Sequence, residues 1–205
     1  MYIPPLNKVE DLSEILGFIN RYNFASVVSY DGTRPIISHI PIEPELKEGK
    51  VWLRGHLAKA NFQWQSFRSD QDILVSFMEA HTYISPSWYD YAEVPTWNYI
   101  AVHMYGKPRI FEGEELLTFV KYQMNKYEAG VSYPRSPAGI DEKYLMRQLR
   151  GIIGFEIVVS DIQAKYKLSQ NKSDKNIQSV ITELEKSKDQ NAQKIAKAMN
   201  KLKKP

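Results

Sequence analysis

The octapeptide Arg54 to Asn61, RGHLAKAN, concentrates groups able to hold a phosphate. His56, Lys59 and Asn61 supply side-chain donors, and Gly55 permits a tight bend or close backbone approach. A helix predicted over Leu57 to Phe67 would add the free N–H groups of its first turn and its dipole. The same residues would equally make a solvent-exposed helix start. The strand-like PIISHIPI adds Ser38 and His39, whose side chains fall on opposite faces of a regular strand. One of them could face a ligand, although strand hydroxyls commonly satisfy local hydrogen bonds. All four histidines, His39, His56, His81 and His103, precede residue 104. Imidazole is a common metal ligand, but no HExxH pair or carboxylate cluster accompanies them, so no metal site is expected.

A second concentration runs from His81 to Gly106, HTYISPSWYDYAEVPTWNYIAVHMYG, with Tyr83, Trp88, Tyr89, Tyr91, Trp97, Tyr99 and Tyr105. Flat amphipathic rings at this density suit a planar polar ligand or a protein interface. Pro86 and Pro95 stiffen the turns that present them. Further on, QAKYKLSQN places Lys165 and Lys167 on one face of an extended segment, followed by Gln170 and Asn171. A solvated edge protected by lysines is the simpler reading of that pattern.

Several chemistries lack their signatures. The chain has no Gly-rich dinucleotide fingerprint, no P-loop and no GxSxG elbow. Ser85, Ser87 and Ser169 have no base partner in sequence, so no catalytic nucleophile is singled out. With no cysteine, disulfides, thiolate chemistry and cysteine-ligated metals are excluded.

The elements that must position these groups follow from pattern. Val9, Leu12, Leu16 and Ile19 recur at helical spacing, with Asn7 as the expected cap and Glu10 completing a capping box. Strands are predicted at Phe24 to Tyr30 and Pro35 to Ile42, joined by an Asp31-Gly32 hairpin turn. Val51 to His56, Ile73 to Met78, Ile100 to Tyr105 and Gly151 to Val159 follow as strands, with further strand character at Arg109 to Phe111. Helices are expected over Glu114 to Tyr127, up to about Arg150, and twice in the tail. The tail stripes are Ile177, Val180, Ile181, Leu184 and Ile195, Ala198, Met199, Leu202, with Asp189 as a cap between them. Antiparallel strands interrupted by short helices predict a mainly β, α+β protein with a β-barrel core.

Length and charge bound the rest. At 205 residues, 43% hydrophobic and 25% charged, the chain can bury a full core. The N-terminus lacks the pattern of a secretory signal and no apolar run could cross a bilayer, so a cytoplasmic, non-membrane protein is expected. The net charge of +3 is unevenly spread. Residues 171–205 carry nine lysines against Asp174, Glu183, Glu185 and Asp189, leaving the rest slightly acidic. Any contact with DNA would therefore fall to the basic tail, although no helix-turn-helix pattern is evident.

RGHLAKANFQW, HTYISPSWY, VPTWNYIAVHMYG and GFEIVVSDIQAKYKLSQN together resemble the PaiB-like family of FMN-binding negative transcriptional regulators. The likeness covers residues 1–171; Phe62 stands where that family has proline. It implies an FMN-binding split β-barrel over residues 1–170, with peripheral helices and a basic helical extension over 171–205. It also implies a homodimer with FMN at the subunit interface. RGHLAKAN then becomes the candidate phosphate cradle through His56, Lys59 and Asn61, with Ser38 and His39 near the flavin. Trp97, Asn98 and His103 would come from the partner subunit. The implied role is repression of sporulation or degradative-enzyme genes. The alternatives are an FMN-dependent oxidoreductase for a small substrate, with His81, Tyr83 and His103 as candidate proton donors, and a haem-binding split barrel.

Overall fold

A computed structural model describes residues 1–68 and 70–202. Among these residues, eight antiparallel strands and five α-helices make an α+β fold. The strands are β1 (Lys8–Val9), β2 (Phe24–Tyr30), β3 (Pro35–Pro41), β4 (Glu43–Lys47), β5 (Lys50–Ala58), β6 (Ile73–Ile84), β7 (Thr96–Phe111) and β8 (Ile152–Lys167). The helices are α1 (Leu12–Arg21), α2 (Gly113–Glu128), α3 (Glu142–Leu149), α4 (Asp174–Lys186) and α5 (Gln190–Leu202). The sheet order is β3-β2-β6-β7-β8-β5-β4, with β1 on β8. No helix among the described residues is long and apolar enough to cross a membrane.

Two compact units divide the chain. One comprises residues 24–75 and 105–161. Its β2–β3 hairpin closes as the Asp31-Gly32 pattern predicts. Gly32 takes φ +102°, and the Asp31 carboxylate accepts from the Thr33 and Arg34 amides at 2.7 and 2.8 Å. Those bonds, the Thr33 hydroxyl foremost, hold the Asp31 carboxyl down at about 2. Between β4 and β5, Glu48 and Gly49 take φ 53° and 73°, the positive pair that a two-residue hairpin needs. Alternate residues of β5 (Val51, Leu53, Gly55, Leu57) turn inward, while Trp52, Arg54 and His56 occupy the other face. The inward face packs with Ile42, Phe155 and Ile157, all fully buried. Side chains of this size each contribute about 1.5–3 kcal/mol on burial. A second cluster joins Phe111, Leu116, Leu117 and Phe119 to Leu145 and Leu149 of α3.

The other unit holds residues 1–23, 76–104 and 162–205. Its core draws Phe18 and Ile19 from α1, Phe77 and Ile84 from β6, and Val102 and Met104 from β7. The tail helices add Val180, Ile181, Leu184, Ile195 and Met199. The predicted tail stripes are thus buried through these residues, with Ile177 and Ala198 half-buried and Leu202 at the end of α5 exposed. Ser173 caps α4 through the Asn176 amide, and Asp189 accepts from the Asn191 amide at the start of α5.

Three local expectations are corrected. The cap of α1 is Asp11, which accepts from the Ser13 and Glu14 amides at 2.8 and 3.1 Å. Asn7 lies in a short 3-10 turn and donates instead to Gln170. The helix predicted over Leu57 to Phe67 is the end of β5 and a five-residue 3-10 turn, Phe62–Ser66. Finally, β6, β7 and β8 run to Ile84, Phe111 and Lys167, well beyond their apolar centres.

Candidate functional site

Within the first unit, Asn61 organises the end of β5. Its side-chain carbonyl accepts from the Gln63 amide at 3.1 Å, and its Nδ2 donates to the Ser38 hydroxyl of β3 at 2.8 Å. Just beyond, Gln63 is 1% exposed and donates through Nε2 to the Val27 carbonyl at 2.9 Å. The Ser29 hydroxyl and Ile36 carbonyl lie within its reach at 3.1 Å. This glutamine fastens the turn to both hairpin strands, and no sequence signal marks it for that work. Trp64 donates its indole N–H to the Lys59 carbonyl at 3.0 Å, fixing the backbone beneath that lysine. Lys59 itself reaches Glu112 at 2.7 Å.

Ser38 and Asn61 thus meet, framed by a strand end and a 3-10 turn in place of a helix, while the Lys59 side chain turns to Glu112. His39 lies on the opposite face of β3, bonded to Ser26 at 3.0 Å across the hairpin. His56 projects from the outer face of β5 toward the Phe119 ring, 6.4 Å between centroids. Its Nδ1 is buried without a hydrogen-bond partner among the described residues. Burial lowers the His56 pKa, with the Gln123 amide opposing. On the same strand face Arg54 meets Glu156 at 3.2 Å and Glu115 at 2.6 Å, and Arg109 bonds both carboxylates as well. This four-membered charge network, with the Glu156 side chain only 9% exposed, was not visible in the spacing.

In the other unit, the aromatic stretch divides by exposure. Trp97 is half exposed and contacts His81 and Tyr83, with ring centroids 6.0 and 6.1 Å apart. Asn98, one residue on, has no exposed surface; its Nδ2 donates to the Ser169 hydroxyl at 2.9 Å and approaches Met199 Sδ at 3.6 Å. His103 is half-buried on β7, and burial lowers its pKa. Tyr89 and Tyr91 stack with centroids 5.9 Å apart, and the Lys172 ammonium lies 4.9 Å from the first ring and 5.5 Å from the second. Lys172 also pairs with Glu93, whose carboxyl it holds below the usual range. A cavity of about 390 Å³ opens here, with Asn98, Thr96, Lys167 and Ser169 in its wall. At its edge Asp90 bonds Asn176 of α4 at 2.8 Å and pairs with Lys175.

The strand order and helices define the split-barrel fold seen in flavin proteins. The chain is similar to the FAD and heme binding protein from Mycobacterium smegmatis, with TM-score 0.61 and 10% identity over 84% of this chain and 80% of that one. It is also similar to the flavocytochrome Anf3 from Azotobacter vinelandii, with TM-score 0.58 and 13% identity over 76% and 67% of the two chains. The chain belongs to the PaiB-like family described as "Putative FMN-binding domain", whose model matches residues 1–161. Protease synthase and sporulation protein PAI 2 of Bacillus subtilis (strain 168) is 42% identical over 205 residues, covering all of this chain and 99% of that protein.

Proposed function

We propose that this chain binds FMN and works as a negative transcriptional regulator, in keeping with its family and with the name of its Bacillus relative. The observation that carries the flavin reading is the Asn61–Ser38 bond, which joins an amide just past the end of β5 to a hydroxyl of β3, with the Lys59 ammonium two residues earlier in the chain. That donor set fits a phosphate. Lys59, Asn61 and Ser38 would hold it. When bound, FMN supplies hydride and single-electron chemistry. A homodimer is part of the proposal, with the exposed Trp97, His81 and Tyr83 ledge offered to a second copy. Asn98 and His103 would lie behind that ledge.

The test is fluorescence titration of FMN into the wild-type chain and Lys59→Glu. Placing a carboxylate where the ammonium stood should weaken binding at least about a hundredfold, because attraction becomes repulsion. Unchanged affinity would move the phosphate elsewhere.

For regulation, the basic tail is the proposed DNA contact. Lys172, Lys175, Lys186 and Lys194 are engaged by Glu93, Asp90, Glu183 and Glu79 of the same chain. Lys188, Lys197 and Lys201 have no acidic partner among the described residues. Gel-shift titration over a salt series would show a shift that weakens as salt rises. No shift at low salt would point to repression through another protein.

A further inference from the structure

The cavity beside the Tyr89–Tyr91 stack has a charge and hydrogen-bond pattern that its own residues leave incomplete. Lys172 is neutralised by Glu93 and lies beside the two stacked rings. Lys167 reaches only the neutral Thr96 hydroxyl and has no carboxylate partner among the described residues. Two ammonium groups and one carboxylate therefore leave a single uncompensated positive charge in the wall. A half-buried ammonium is costly to desolvate without a counter-charge. Independently, Tyr89 is only 8% exposed, and its hydroxyl faces Ser169, which is already bonded to Asn98, without meeting any described residue in hydrogen-bond geometry. Buried hydroxyls are ordinarily bonded, so an acceptor is missing.

Deeper in, Asn98 and Ser169 bond one another, and Ser169 holds φ 63°, a conformation uncommon for a residue other than glycine. Pro4, Leu6 and Val94 supply apolar surface at the side. The volume, about 390 Å³, lies within the range of small-molecule sites.

We infer that this cavity is a binding site for a small organic monocarboxylate, its carboxylate between Lys167 and the Tyr89 hydroxyl and its short apolar body against Leu6 and Val94. The Glu93 carboxylate disfavours a second negative charge, which selects against a phosphate dianion. The site is separate from the Lys59 rim and does not rest on the flavin reading.

The probe is sodium butyrate, titrated into the full isotope-labelled chain and followed at the Asn98 and Ser169 amides by NMR. Sodium chloride keeps the ionic strength constant. Inorganic phosphate, at mildly alkaline pH where it is mostly dianionic, is titrated in parallel. Saturable shifts with butyrate and weaker binding of phosphate are expected. Lys167→Met should weaken butyrate at least about tenfold, the loss of a charge-assisted bond, and Tyr89→Phe about three- to tenfold. Fluorescence titration should give Tyr89→Phe the FMN affinity of the wild type.

Four results would overturn the proposal: no saturation by about 100 mM butyrate, saturation untouched by Lys167→Met, phosphate binding as tight as butyrate, or FMN affinity falling in step with butyrate affinity. The last would assign the cavity to flavin. Should Lys167→Met lose its native spectrum, Tyr89→Phe decides, and an unchanged butyrate affinity there sinks the idea.

Discussion

The Glu112 carboxylate holds the Lys59 ammonium at 2.7 Å, and both side chains are well exposed, at 52% and 38%. A solvent-screened pair of this kind is worth about 0–1 kcal/mol. A phosphate held by Lys59 as proposed would displace it. Glu112→Gln removes the competing carboxylate and should raise FMN affinity by about two- to fivefold with little change in stability. Isothermal titration of both proteins reads the difference. A loss of affinity would mean that Glu112 orients Lys59 for its ligand.

Gly106 marks a close backbone approach. A Cβ there would lie 2.1 Å from the Val158 carbonyl oxygen, an atom of the β8 backbone that cannot step aside. Gly106→Ala should cost at least about 2–3 kcal/mol and lower the melting temperature by about 5–10 °C. Gly17, in mid-α1, has nothing within 4 Å of the same position. Gly17→Ala should stabilise by about 0.5–1 kcal/mol through helix propensity. Thermal melts of the two variants should move in opposite directions.

His56 ties stability to pH. Burial puts its folded pKa below the ordinary value of 6.5, so the folded state binds fewer protons than the unfolded state in that window. This contribution is complete above pH 6.5 and is lost as the pH falls toward the folded value. His103 shifts in the same direction for the same cause. Replacing His56 with phenylalanine beside Phe119 should flatten part of the decline below pH 6.5, leaving the His103 part. Urea unfolding at several pH values measures it. Below about 4.5 the Arg-paired Glu115, whose pKa is lowered, adds a further loss in both proteins.

Asp11 accepts two amide hydrogens at the start of α1. Asp11→Ala should cost about 1 kcal/mol, and Asp11→Asn much less, because asparagine keeps the capping oxygen. Circular dichroism melts of the two variants distinguish a cap from a mere surface charge.

What could be read in the sequence was whatever depends on near neighbours. The Asp31-Gly32 turn, the tail helices with Asp189 between them, and α2 and α3 follow from turn chemistry and 3.6-residue periodicity. Strand character shows at Ile100 to Tyr105 and again at Arg109 to Phe111; that one strand begins at Thr96 and runs on through Gly106 and Pro108 depends on pairing within the sheet. Asn7 and Asp11 are both good caps by type; what decides between them is that Asn7 is engaged by Gln170, far along the chain. RGHLAKAN drew notice for its donors, but its conformation depends on Gln63 reaching Val27, a bond that local pattern cannot foresee. Trp97 and Asn98 precede the predicted strand, so their split into an exposed ring and a buried amide follows only from β7 beginning at Thr96. The partner that makes the buried amide tolerable, Ser169, lies 71 residues away.

The start of α4 has a practical consequence for anyone trimming this protein. Lys172, Lys175 and Asn176 together hold Asp90 and Glu93, so the proline-flanked loop takes its shape from the tail. A chain ended at residue 171 would lose these anchors together with the core side chains of α4 and α5, and the loop would open to proteases along with the unit around it. Limited digestion would then cut between Pro86 and Pro95 in the shortened chain and spare the full-length one.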